Sequence, residues 1–168
     1  MFNKEADFEN ALIALLATKS WEKEVLRYPT EEKLIANWQE HLDKTNQHID
    51  KLDVPLIRSE MNQILEQVQA LKTPYALNGF INGKTVAIKR ENEASRHFGK
   101  EVSLDIFDRE EISAGKSRYQ IAQQPQFTPR SDLYPKQRGD LMLLINGMPM
   151  FHIELKRSGV PISQATNQ

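Results

Sequence analysis

Through the first seventy-five residues the apolar positions recur at helical spacing. Phe8, Leu12, Leu15 and Leu16 predict an amphipathic helix over 8–16, with Glu9 just off its apolar stripe. Trp21 to Tyr28 predicts a short strand that stops at Pro29. Thr30 stands before Glu31-Glu32 as an N-cap whose hydroxyl accepts from the first free N–H groups. Leu34, Ile35, Trp38 and Leu42 carry that helix toward His48, and Met61, Ile64, Leu65, Val68 and Leu71 predict another after Pro55.

From Ala76 the period falls to two. Phe80-Ile81, Asn82-Gly83 and Thr85–Ile88 predict a hairpin, and Val102–Phe107, Ser117–Gln126 and Asp140–Ile145 predict further strands. Pro161–Ala165 predicts the start of a helix. The expected architecture is α/β: a mixed central sheet flanked by helices, with an N-terminal helical insert. Its length suits one domain over 1–168, mainly helical to 75 and sheet-rich over 76–168. Gly79 to Thr85 is one residue short of a phosphate-binding loop, because Asn78 stands where the first glycine belongs, and reads as a turn.

The most informative stretch runs from Arg138 to Gln168. Asp140 precedes an apolar run, Asn146-Gly147 marks a hairpin turn, and Glu154-Leu155-Lys156 ends the returning strand. A two-residue turn with a regular ladder would place Asp140 opposite Ile153, and so send Asp140 and Glu154 to opposite faces. A three-residue loop with Gly147 in the left-handed conformation changes the parity. Asp140, His152, Glu154 and Lys156 then share one face, and Leu141, Leu143, Ile145, Phe151, Ile153 and Leu155 the other. That sorting avoids burying an unpaired carboxylate, so the three-residue loop is expected.

Two carboxylates on one face suit Mg²⁺, which prefers oxygen ligands and keeps several waters. A bound divalent cation supplies charge against a phosphate and makes a coordinated water more acidic. Lys156, two residues beyond Glu154, projects to the same side. The same pattern also suits solvated charges on an edge hairpin, where lysine discourages edge pairing. A single His152, without a second histidine at metal spacing, reads as a neighbour rather than a ligand.

The string Asp140, Leu144-Ile145-Asn146-Gly147-Met148-Pro149, Ile153-Glu154-Leu155-Lys156, Gly159-Val160 and Ala165 to Gln168 resembles the nuclease domain of the R (motor and cleavage) subunit of type I restriction enzymes. That domain belongs to the PD-(D/E)xK nuclease superfamily. The resemblance is strong over about thirty residues, those from Arg138 to Gln168, and loose before them. It implies Mg²⁺ held by Asp140, Glu154 and the backbone carbonyl of Leu155, with Lys156 catalytic. Gln168 matches the first residue of a Gln-x-x-x-Tyr helix that contacts DNA or orients the site. Arg138 is a candidate phosphate contact, and Glu9 a candidate accessory acid from the first helix. The implied activity is hydrolysis of double-stranded DNA after ATP-driven translocation, with methyltransferase (M) and specificity (S) subunits as partners. ATP belongs to a helicase motor absent from these residues, so the chain reads as an N-terminal piece of a longer protein. A repair or recombination nuclease of the same superfamily, and a non-catalytic docking module, remain alternatives.

Charge changes this picture little. The net charge of −1 argues against a globally basic nucleic-acid binder. Locally, residues 116–157 hold seven basic side chains and three acidic ones, a balance of +4 that suits phosphate contacts. The absence of cysteine excludes disulfides and thiolate metal sites and suits a reducing cytoplasm. The N-terminus has neither a signal peptide's basic start nor the length of a membrane span.

Overall fold

The computed structural model describes residues 5–48, 50–73, 75–76, 80, 85–107, 115, 117–127 and 137–155. In chain order the elements are α1 (Glu5–Ala17), β1 (Val25–Arg27), α2 (Glu31–Thr45), α3 (Arg58–Gln69), β2 (Thr85–Lys89), β3 (Glu101–Asp105), β4 (Tyr119–Gln123), β5 (Gln126–Phe127), β6 (Gln137–Arg138), β7 (Leu141–Ile145) and β8 (Met148–Ile153). The chain forms two compact units, one of residues 1–36 with 118–168 and one of residues 37–117. Compactness thus divides the chain at other points than the change of period at Ala76. Among the described residues no helix is long and apolar enough to cross a membrane.

The first unit holds a mixed four-stranded sheet in the order β1-β4-β7-β8. β1 runs parallel to β4, and β4–β7 and β7–β8 are antiparallel. Both faces are covered. Ile121, Leu141, Leu143 and Leu155 form one apolar layer, packed by Leu12, Ile13 and Leu16 of α1. Ala122, Met142 and Leu144 form the other with Leu34 of α2. A fully buried side chain of this size contributes about 1.5–3 kcal/mol, so the two layers fix the sheet between its helices. The expected division into one polar and one apolar face therefore does not hold along β7, whose central residues are buried on both sides.

Helix α1 differs from its sequence reading in rotation. Phe8 and Leu15 are exposed, while Leu12, Ile13 and Leu16 face the sheet. Glu9 lies on that inner stripe and is 4% exposed. Thr30 caps α2 as expected, accepting from the Lys33 N–H at 3.3 Å. The strand expected over 117–126 stops at Gln123 because Pro125 has no N–H to give the ladder. Beyond it, Gln126–Phe127 pairs with Gln137–Arg138 instead.

The second unit packs α3 against the β2–β3 hairpin. β2 takes β3 as its partner, whereas the sequence pairs it with residues around Phe80. Phe80 itself is helical and buried, and residues 81–84 lie outside the described set, with most of the apparent phosphate loop. The core of this unit encloses an ion pair, Arg90 to Glu60 at 3.1 Å, both side chains 0% exposed. Every charge-bearing oxygen and most donors are used. Glu60 also accepts from the Ile57, Glu91 and Asn92 N–H groups, and Arg90 donates to the Val54 carbonyl and Ser95 hydroxyl. Removing one partner from such a pair costs about 3–5 kcal/mol, because the other charge is left stranded.

Candidate active site

The hairpin that brings Asp140 to Glu154 reaches its register by a different route from the expected loop. Asn146 and Gly147 both have left-handed backbones, φ 50° and 79°, and Ile145 pairs with Met148. This is a two-residue primed turn. Asn146 tolerates the conformation because its environment uses it. Its Oδ1 accepts from the Arg118 N–H at 2.7 Å, and its own N–H donates to the Arg118 carbonyl at 2.9 Å.

The extra residue appears further along β8. Leu144 pairs with Pro149 but Leu143 with Phe151, so Met150 is the bulged residue. Met142 then pairs with His152 and Leu141 with Ile153. Continuing that register sets Asp140 opposite Glu154. The parity expected from a three-residue loop is produced by a bulge at Met150.

Asp140 and Glu154 sit at one end of the sheet. The Asp140 carboxylate accepts from the Leu155 N–H at 2.5 Å, which ties the end of β8 to the start of β7. His152 Nε2 lies 3.0 Å from Glu154 Oε1. The imidazole occupies space that only a glycine leaves free. A Cβ added at Gly139 would lie 2.1 Å from His152 Nε2. The Gly139-Asp140 step therefore carries two requirements, room for the ring and a carboxylate beside it.

Glu9 reaches the same end from α1. Its Oε2 accepts from Gln124 Nε2 at 3.1 Å, and the Gln124 N–H donates to the Asp140 carbonyl at 2.8 Å. Glu9 Oε1 is buried and, among the described residues, has no hydrogen-bond partner, an arrangement that is costly unless something else completes it. Gln124 has a left-handed backbone, φ 51°.

Of the residues singled out in the sequence, Asp140, Glu154, Leu155 and Glu9 are thus placed around one sheet end. Arg138 lies in β6, with its backbone paired to Gln126. Lys156 and Gln168 lie outside the described residues. Gln124 and Gly139 carry no sequence signal for the site; Gln124 sits inside a predicted strand, and Gly139 inside an Arg-Gly-Asp tripeptide. Among the described residues no group of three or more His, Asp or Glu gathers closely enough to hold a metal. The donors that are present are carboxylate and carbonyl oxygens, the hard ligands that Mg²⁺ takes while keeping waters of its own.

A mixed sheet between helices, with Asp140 and Glu154 at the open end of its β7–β8 hairpin and Glu9 linked to that end through Gln124, defines an α/β domain with an acidic sheet end. The chain belongs to the family described as the type I restriction enzyme R protein N terminus, whose model matches residues 3–168. It is 29% identical over 168 residues to the endonuclease subunit of a type I restriction enzyme of Staphylococcus aureus strain MSSA476. It is 30% identical over 169 residues to the corresponding subunit of a type I enzyme of Staphylococcus saprophyticus. These alignments cover 99% and 100% of this chain but 16% of each relative.

Proposed function

We propose that this chain is the endonuclease region of a type I restriction R subunit, with a PD-(D/E)xK-type core, acting in defence against foreign DNA. It hydrolyses phosphodiester bonds of double-stranded DNA after ATP-driven translocation by the remainder of the subunit. Methyltransferase and specificity subunits complete the complex, in the cytoplasm. The observation that carries this reading is the register that sets Asp140 opposite Glu154, in a chain whose relatives are named endonuclease subunits.

Mg²⁺, when bound, supplies positive charge against the phosphate and a more acidic water. Asp140 and Glu154 would hold it through carboxylate oxygens, with the Leu155 carbonyl as a further protein ligand. The Leu155 N–H fixes the orientation of Asp140. Lys156 orients the attacking water or offsets charge growing on the phosphate oxygens. The water oxygen bonds to phosphorus and gives up a proton to solvent as the bond to one sugar oxygen breaks, and the departing oxygen takes a proton from solvent. Arg138 and Gln168 contact the DNA, and the local excess of basic residues favours its phosphates.

The test is plasmid cleavage beside ATPase activity in a complex reconstituted with full-length R, M and S subunits. Lys156→Ala abolishes cleavage, keeps ATPase and translocation, and keeps much of the metal affinity, because an ammonium is not a ligand. Loss of ATPase together with cleavage assigns Lys156 a structural role instead. Robust ATP-independent cleavage by the 168-residue chain favours a repair nuclease.

A further inference from the structure

Strands β1 and β4 run parallel and end in the same way. Arg27-Tyr28-Pro29 closes one and Gln123-Gln124-Pro125 the other. In each, the residue before the proline has a left-handed backbone, φ 52° at Tyr28 and 51° at Gln124. The prolines have no N–H to continue a ladder. Three bonds hold the paired bends: the Tyr28 N–H on the Gln123 carbonyl at 2.8 Å, the Gln124 N–H on the Asp140 carbonyl at 2.8 Å, and the Gln126 N–H on the Pro29 carbonyl at 2.9 Å. A left-handed backbone is an outlier for a bulky residue. Such strain persists where surrounding contacts enforce it, often at ligand clamps. For Gln124 the bend delivers an amide to Glu9. Tyr28 instead stands 51% exposed.

The register sets Tyr28 in line with the candidate site. Arg27 pairs with Gln123, Gln123 with Leu141, and Leu141 with Ile153. The next row across the sheet end therefore holds Tyr28, Gln124, Asp140 and Glu154. Neighbouring strands lie about 4.8 Å apart, so the Tyr28 backbone stands roughly 10 Å from that of Asp140, with β4 between them. One strand of duplex DNA advances about 3.4 Å along its axis per phosphate, so this offset spans about three nucleotides. Arg27 is fastened at the same end. Its Nη1 donates to the side-chain oxygen of Gln123, which is buried. A buried amide thus holds an exposed guanidinium and removes rotamer freedom that a binding contact would otherwise have to freeze. An arginine fork matches phosphate oxygens in pairs, and a tyrosine hydroxyl is a donor to the DNA backbone. Exposed Lys23 and Glu24 offset each other, and Glu31 and Glu32 open α2. The corner is therefore no broad basic face, and suits about two phosphates, one for each donor side chain.

We infer that Arg27 and Tyr28 form a phosphate-holding corner that grips the backbone of duplex DNA about three nucleotides from the bond to be cut. The inference rests on the proposed nuclease reading for the position of that bond, and adds a contact surface to it. Both side chains meet phosphate rather than base edges, so the corner binds without sequence preference.

The probe is a short fluorescein-labelled DNA duplex of mixed sequence, its binding to the 168-residue chain followed by anisotropy over a range of salt, with thermal melting in parallel. Arg27→Ala is expected to weaken binding about 10-fold. It should also reduce the salt dependence of log K by about 0.9, the share of one phosphate. Arg27→Lys keeps the charge and should keep that salt dependence while losing the fork. Tyr28→Phe removes only the hydroxyl and should weaken binding about 2- to 10-fold. Tyr28→Gly takes the left-handed backbone without strain, so it should melt at or above the wild-type temperature yet bind no better than Tyr28→Phe. Wild-type affinity in either Arg27→Ala or Tyr28→Gly, or an unchanged salt dependence in Arg27→Ala, overturns the inference. So does the absence of duplex binding by the wild-type chain. Unchanged DNA affinity with weakened assembly of the full-length subunit on its partners also overturns it, and makes the corner a protein contact. If Asp140→Asn still cleaves in the reconstituted complex while Arg27→Ala weakens duplex binding, the nuclease reading fails and the phosphate corner stands.

Discussion

The carboxylate of Asp140 and the backbone N–H of Leu155 meet at 2.5 Å, fifteen residues apart in sequence, across the open end of the β7–β8 hairpin. Asp140 therefore has two separable tasks, as an acceptor that closes the hairpin and as a charge. Asp140→Asn keeps an acceptor and loses the charge, and should cost about 1 kcal/mol or less. Asp140→Ala leaves the Leu155 N–H without its partner and should cost about 1–2 kcal/mol. Both should abolish DNA cleavage in the reconstituted complex. Denaturant unfolding and plasmid cleavage on the two variants check this. Wild-type cleavage by Asp140→Asn would remove the carboxylate from the mechanism.

Gly139 is expected to be needed for the site more than for the fold. Its backbone is not in the left-handed region, so alanine is permitted there, and the restricted unfolded chain offsets about 0.4–1 kcal/mol of any strain. The new Cβ would stand 2.1 Å from His152 Nε2. His152 is about half exposed and can swing outward, away from Glu154. Gly139→Ala should thus melt near the wild-type temperature and impair cleavage to the extent that His152→Ala does. The double variant should be no worse than either single one. Additive losses would mean that the two residues do not act through one contact.

The bulge at Met150 makes a prediction about length. Deleting Met150 leaves Leu144 opposite Pro149 and Leu143 opposite Phe151, now in a regular ladder, and keeps Asp140 opposite Glu154. Deleting Ile153 instead moves Glu154 opposite Leu141 and brings a charge toward the apolar layer. The first deletion should retain cleavage and the second should abolish it, with a loss of several kcal/mol from burying the carboxylate. Equal loss in both would show that the bend of the bulge, rather than its register, is what the site requires.

Acid stability should depend on Asp53. The Ser95 hydroxyl at 2.6 Å and the Arg96 N–H at 2.8 Å hold its carboxyl down to about 2, against an ordinary value of 3.8. A depressed folded-state value adds stability above pH 3.8, and that stability is lost as the pH falls toward 2. Asp43 works in the opposite sense, because burial raises its pKa and the stability it contributes is lost as the pH rises through that raised value. Asp53→Asn should therefore flatten the fall in melting temperature between about pH 4 and pH 2. An unchanged acid slope in that variant would rule out Asp53 as its source.

The sequence by itself determined what needs only neighbours along the chain. Thr30 before an acidic pair made a capped helix, Asn146-Gly147 made a turn, and Asp140, Glu154 and Lys156 stood out by residue type and spacing. It also carried the family, because a string of residues around a turn is itself a sequence property. The rotation of α1 was decided by the tertiary structure: Glu9 enters the inner stripe because Gln124, 115 residues away, offers it a donor. Met150 became the bulged residue, with the turn kept to two residues because Arg118, just before β4, fixes Asn146. The pairing of β2 with β3 leaves the β2 edge to the side chains of Gln63 and Gln67 on α3. Each of these depends on a hydrogen-bond partner brought from far along the chain. Local periodicity carries no information about such a partner, and the free energy of satisfying a buried polar group outweighs the small preferences that periodicity expresses.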